Sequence, residues 1–113
     1  MAAMTTIVDT LQAAGIDAYL PGRAPGECRK AHAVVDDGGR VREGRTTGRR
    51  IYYVTAYVPE ARPGDLAGFV ARISDALAPL KTPRCTGNVS DEFFDDEKKA
   101  RGATVELSAL CTL

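Results

Sequence analysis

The sequence predicts an α+β domain: a two-layer sandwich in which a four-stranded, mostly antiparallel sheet carries two helices on one face, in the order α-β-β-β-α-β. Three observations carry that expectation. Two stretches repeat apolar residues at helical spacing, four others are rich in β-branched or alternating apolar residues, and Gly or Pro marks the junctions between them.

The first helix is expected over residues 3–14, where Met4, Ile7, Val8 and Leu11 form one stripe and Gly15 stands ready to end it. Ile16, Ala18 and Leu20 then alternate with Asp17 and Tyr19, as a first strand requires. Pro21-Gly22 and Pro25-Gly26 break the chain before Ala31–Val35 resumes an extended pattern. Beyond Asp36-Asp37-Gly38-Gly39, residues 40–50 are rich in Arg, Gly and Thr and nearly devoid of apolar side chains. With nothing to bury, the stretch of about 38–50 is expected to be a mobile basic hairpin loop.

Ile51–Val58 has the strongest strand character, and Pro59 stops it. Both of its faces are apolar, Ile51, Tyr53 and Tyr57 opposing Tyr52, Val54, Ala56 and Val58. One face against helices and the other against a neighbouring subunit accounts for that. Pro63-Gly64-Asp65 opens the second helix, with Asp65 as its expected N-cap and Leu66, Phe69, Val70, Ile73 and Leu77 on one face. Pro79 and Pro83 close it. The last strand, Ala103–Cys111, is expected to point Ala103, Val105, Leu107, Ala109 and Cys111 inward and Thr104, Glu106 and Ser108 outward. Its neighbour in the sheet is left open between strands one and three.

All 113 residues are expected to form a single domain, 44% hydrophobic and 27% charged, with 15 basic and 15 acidic side chains. No apolar run is long enough to span a bilayer, and the N-terminus lacks the pattern of a signal peptide, which points to synthesis in the cytoplasm. A chain this short buries only about two-thirds of its unfolded surface, so association with other copies is the natural way to cover more.

Chemistry-bearing motifs are sparse. Cys28, Cys85 and Cys111 are odd in number and far apart, which argues against a disulfide framework. With His32 they make up the count of a zinc set, but structural zinc sites come as two close ligand pairs, and three small packed residues is the better reading. His32 is the sole histidine and so the only imidazole base for a cysteine nucleophile. Gly38-Gly39, Gly44 and Gly48 do not follow a phosphate-binding loop, and the acidic residues 91–97 lack the order of a calcium loop. No catalytic, cofactor or metal residue is therefore assigned, and the chain is not read as an enzyme.

Charge is more informative. Residues 40–50 carry Arg40, Arg42, Arg45, Arg49 and Arg50 against Glu43, a net +4, whereas Asp91, Glu92, Asp95, Asp96 and Glu97 give −5 over residues 91–97. Solubilising surface is the plain explanation. A sharper one puts the two patches on opposite edges of a subunit, meeting head-to-tail between copies. In a third, the arginines line a pore or touch DNA phosphates. Phe93-Phe94 sits inside the acidic run, a setting that suits an interface anchor, although one Phe can fold back onto the sheet edge.

These residues resemble a family of small structural proteins of long-tailed bacteriophages, the tail terminators or minor capsid proteins of the head-tail junction. The resemblance lies in Tyr19-Leu20-Pro21-Gly22 followed by Gly26-Glu27-Cys28, the strand Ala31–Val35 running into Asp-Asp-Gly-Gly, and the strand ending Tyr57-Val58-Pro59. Thr86-Gly87-Asn88 and the run Phe93–Ala100 extend it. It implies an α+β subunit of a homo-oligomeric ring, commonly a hexamer, that caps the tail-tube protein, stops tube growth and meets the head connector in the virion. On that basis Arg40, Arg42, Arg45, Arg49 and Arg50 are candidates for the lumen, where they would meet DNA phosphates, or for an adjoining ring. Phe93, Phe94, Asp95, Asp96, Glu97, Tyr53 and Tyr57 are candidates for the subunit or tube interface. A head-completion or neck protein is the alternative within that class, and a small nucleic-acid or regulatory binding module is the alternative outside it.

Overall fold

The structure is a computed structural model and describes residues 2–112. In chain order it comprises α1 (Ala2–Ala13), β1 (Ala18–Tyr19), β2 (His32–Arg42), β3 (Thr47–Pro59), a 3-10 turn (Pro63–Asp65), α2 (Leu66–Leu77), β4 (Arg84–Val89), β5 (Phe93–Asp95) and β6 (Ala100–Thr112). The fold is α+β, as the periodicities indicate, with both helices on one face of an open sheet.

That sheet has six strands rather than four. Its order is β1-β2-β3-β6-β4, and β5 pairs with the same β6. β1 runs parallel to β2, and the other pairings are antiparallel. The last strand therefore lies beside β3. β4 and β5 escape a pattern-based reading because they are edge strands with little to bury: β4 is exposed at every position except Cys85. A register irregularity between Cys85 and Val89 further obscures its period, and Gly87 there adopts φ +91°.

The core follows from period two on the strands and period 3.6 on the helices. Ala33 and Val35 of β2, Tyr52, Val54, Ala56 and Val58 of β3, and Ala103, Val105 and Leu107 of β6 face one way. Met4, Ile7, Val8 and Leu11 of α1, with Leu66, Phe69, Ile73 and Leu77 of α2, cover them. Asp65 stands at the expected N-cap but makes no side-chain cap bond. The chain enters α2 through the 3-10 turn, Asp65 is already near-helical at φ −80° and ψ −14°, and the Leu66 N–H is held by the Pro63 carbonyl.

The expected loop over about 38–50 is instead mostly paired strand. Gly39, Arg40, Val41 and Arg42 pair with Ile51, Arg50, Arg49 and Gly48, and β3 in turn pairs with β6 as far as Thr47↔Thr112. The connection is confined to residues 43–46, closed by the Glu43 and Gly44 N–H groups donating to the Thr47 carbonyl at 3.1 Å. Backbone ladders hold this ribbon, so it needs no apolar face of its own. Asp36–Gly39 does not break the strand. It forms a bulge between Asp37 and Gly39, with Gly39 at φ +89° and its N–H donating to Asp37 Oδ1.

β1 pairs only with Ala33 and Val34, and β4 reaches β6 no further than Ser108. Beyond those points β2, β3 and β6 continue as a three-stranded ribbon with both edges open. The molecule is accordingly elongated, 48 × 27 × 24 Å.

Candidate interaction surfaces

Three of the five ribbon arginines are engaged within the ribbon. Arg42 Nη1 donates to the carbonyls of Gly44 and Arg45 at 3.1 and 2.7 Å, locking the turn. Arg49 pairs with Glu43 at 2.9 Å and reaches Ser108 Oγ of β6 at 3.4 Å. Arg50 is bound by Asp37, and that guanidinium is the main reason the Asp37 carboxyl titrates below its ordinary value. Among the described residues Arg40 and Arg45 have no such partner, and their charge is offered outward. Val41 and Leu110, 53% and 72% exposed, are the large apolar side chains of the same ribbon.

The acidic segment divides in a similar way. Phe93 pairs with Gly102 across β5 and β6 and lies flat over it: a Cβ on Gly102 would come within 2.7 Å of the Phe93 ring. The same ring meets Tyr57 edge-on, with centroids 6.2 Å apart. Phe93 thus belongs to the fold, whereas Phe94 is 45% exposed, with the Arg101 guanidinium 5.7 Å from its centroid. Asp95 Oδ1 accepts the Lys98 N–H, Asp96 pairs with Lys99 at 3.3 Å, and Glu92 lies 3.8 Å from Arg101. Asp91 and Glu97 have no side-chain partner among the described residues. Lys98, Lys99 and Arg101 reduce the −5 of residues 91–97 to a net −2 over residues 91–101.

β6 sets the distance between the two segments. Asp95 pairs with its first residue, Ala100, and Thr47 with its last, Thr112. Twelve residue steps at about 3.4 Å each separate the acidic and basic ends by roughly 40 Å. The segments lie at opposite ends of the long axis.

The two tyrosines named with them part company. Tyr53 is 36% exposed on the sheet face away from the helices, and its ring packs against Gly38 at the bulge. Tyr57 is half-buried, with His32 stacked at 5.4 Å, Phe93 at its edge and Lys98 Nζ 4.9 Å from its centroid. It takes part in a second, smaller core, and only its remaining exposed part is open to a neighbour.

That core went unrecognised in the sequence. The loop over 20–31 folds across the sheet face opposite the helices, tied down where the Cys28 N–H donates to the Lys98 carbonyl at 2.7 Å. Beneath it His32 is 1% exposed, with Nε2 3.4 Å from Lys98 Nζ and Nδ1 3.2 Å from the Lys30 carbonyl. An ammonium only donates, so Nε2 accepts and Nδ1 carries the proton that it gives to Lys30. Lys98 Nζ also donates to the Pro25 carbonyl at 2.6 Å. Cys28 Sγ lies 3.7 Å from Nδ1 and 3.3 Å from the Lys30 carbonyl. Burial pushes the thiols of Cys28 and Cys85 up, so neither is a ready thiolate at neutral pH. Cys85 and Cys111 pair with Leu107 and Gly48, far from Cys28 and His32. Among the described residues no three His, Cys, Asp or Glu side chains are grouped to hold a metal ion.

No protein-family model and no curated protein matches this chain. Its function has to be argued from the surfaces themselves. A groove of about 700 Å³ between the end of α2 and β4 is open and lined by Leu80, Lys81, Arg84, Cys85, Thr86 and Gly87. It brings no acid-base pair or nucleophile-base pair together. What distinguishes the molecule is charge at its two ends, a sheet face covered only in part by the loop over 20–31, and open strand edges. No described helix is long and apolar enough to cross a membrane.

One titration follows from the second core. Burial, first, and then the nearby Lys98 and Lys30 ammonium groups lower the His32 pKa below 6.5, against the opposing hydrogen bond to the Lys30 carbonyl and the attraction of Asp17. The unfolded chain therefore binds a proton that the folded chain refuses, and stability falls as pH drops below about 6.5. Urea unfolding between pH 7.5 and 5 is expected to show this slope, limited to about 1.4 kcal/mol per pH unit for one group. His32→Gln is expected to flatten it over that range.

Proposed function

We propose that the protein is a virion structural protein of long-tailed bacteriophages, a tail terminator that works as a homo-oligomeric ring, commonly of six copies. The ring caps the last tail-tube ring, stops tube polymerisation and joins the tube to the head connector. It is made in the bacterial host cytoplasm and ends at the head-tail junction. Its action is surface complementarity, and the chain performs no chemistry of its own.

The observation that carries this reading is the separation of a basic ribbon and an acidic segment to opposite ends of one elongated sheet. A subunit with two unlike ends is suited to head-to-tail contacts, which make a ring when the rotation from copy to copy closes. The α+β order and the family resemblance of residues 19–22, 26–28, 31–39, 57–59, 86–88 and 93–100 support it further. The arginine ribbon is then a surface for a neighbouring copy, for an adjoining ring or for DNA phosphates passing through the lumen. A head-completion or neck protein shares this architecture and differs in the partner it meets.

The test is tube growth. Purified protein added to the tail-tube protein encoded with it is expected to shorten the tubes and to leave a ring on one end of each in negative-stain images. Tubes that grow to the same length with bare ends contradict the terminator reading.

A further inference from the structure

The ring reading leaves open which surfaces meet, and the two ends differ in ways that bear on this. The basic ribbon carries Arg40 and Arg45, without partners among the described residues, and, on the sheet face opposite Arg40, Val41 and Leu110, both more than half exposed. The acidic end carries Asp91 and Glu97, equally without partners, beside Phe94, 45% exposed. Each segment thus offers unpartnered charge of one sign and exposed apolar area, the ingredients of a contact with a charged rim and an apolar centre.

The strand edges add a direction. The outer edge of β2 over residues 36–42 is blunted by the Asp37–Gly39 bulge and by Asp36, Asp37, Arg40 and Arg42. The outer edge of β6 beyond Ser108 has no such protection. Ala109, Leu110, Cys111 and Thr112 are uncharged, contain no Pro and carry no bulge, and β4 stops before them. Backbone N–H and C=O groups there are open to a further strand or loop.

We propose that the basic ribbon of one copy docks on the acidic end of the next, with Leu110 and the open β6 edge meeting the segment around Phe94, and Arg40 and Arg45 facing Asp91 and Glu97. The occupant is a second copy of this chain. Complementary charge favours it: residues 40–50 carry a net +4 and residues 91–101 a net −2. DNA phosphate is the weaker candidate for the ribbon, because among the described residues Arg42, Arg49 and Arg50 already have internal partners and only two of the ribbon's five arginines are left without one. The proposal deepens the ring reading by naming the ends that meet.

Charge reversal with rescue tests it, read by light scattering on purified protein. Arg40→Glu with Arg45→Glu, and separately Asp91→Arg with Glu97→Arg, are each expected to weaken self-association about tenfold or more. The four substitutions together restore the contact with its signs exchanged, and self-association returns. All of these side chains lie outside the core, so circular dichroism and the melting temperature are expected to stay unchanged. A wild-type chain that remains monomeric at every concentration overturns the proposal, as does loss without rescue. Loss of DNA retention by the arginine variant at unchanged mass also overturns it and assigns the ribbon to phosphate. This outcome is separable from the tube assay: tubes capped by a protein that shows no rescue refute the contact alone, and assembly with rescue but uncapped tubes refutes the terminator reading alone.

Discussion

Leu107→Ala is expected to lower the unfolding free energy by about 3–4 kcal/mol, the largest effect of any single substitution considered for this chain. Leu107 is fully buried on β6, with Tyr52 of β3 on one side and Cys85 of β4 on the other. It faces the layer formed by α1 and α2, so truncation opens a cavity where three strands and the helices converge. A small domain has only about 5–15 kcal/mol in total, and this one has no Trp and only three Phe to supply the rest. Urea unfolding monitored by circular dichroism checks it. A loss under about 1 kcal/mol would mean that Leu107 is not at the centre of the core.

The second large effect is a division of labour between two adjacent residues. Phe93→Ala is expected to cost about 2 kcal/mol, below the value for a fully buried Phe because Phe93 stays half-buried. It fills the space that Gly102 leaves and supports the edge of Tyr57, so its removal also loosens the loop held over His32. Phe94→Ala is expected to leave stability within about 0.5 kcal/mol while weakening self-association. Melting curves and light scattering on the two variants separate these roles. Equal destabilisation by both would return Phe94 to the fold and remove it from the contact.

The long elements were legible because burial writes a period into the sequence. α2 shows Leu66, Phe69, Ile73 and Leu77 on one face, and β3 and β6 alternate cleanly where they line the core. The same logic fails wherever stability comes from something other than burial. β5 is three residues long within an acidic run, and β4 is nearly all exposed. Residues 39–42 and 47–50 are held by backbone ladders and by the Arg49–Glu43 and Arg50–Asp37 pairs, so polar composition misled the expectation of a loop. A signal was present: Arg40-Val41-Arg42 alternates into Glu43-Gly44, which is how a hairpin turn with Gly begins.

The candidate surfaces were half legible. The two charged segments stand out in composition, but which charges are free depends on partners set by the fold, as Arg45 and Arg42 demonstrate. Phe93 and Phe94 are identical in sequence terms and are separated only by the pleat of β5, which turns one over Gly102 and the other outward. His32 and Lys98 lie 66 residues apart, and no local pattern could pair them.

The central claim, that function resides in contacts between copies, is tested most directly by the molar mass of the purified protein. Size-exclusion chromatography with light scattering, at low and moderate salt and with or without tail-tube protein, is the measurement, with negative-stain images of any large peak. The account predicts one closed assembly of fixed copy number, ring-shaped in the images, formed by the chain alone and retained when tube protein is added. A strict monomer in every condition, indifferent to tube protein, would contradict it.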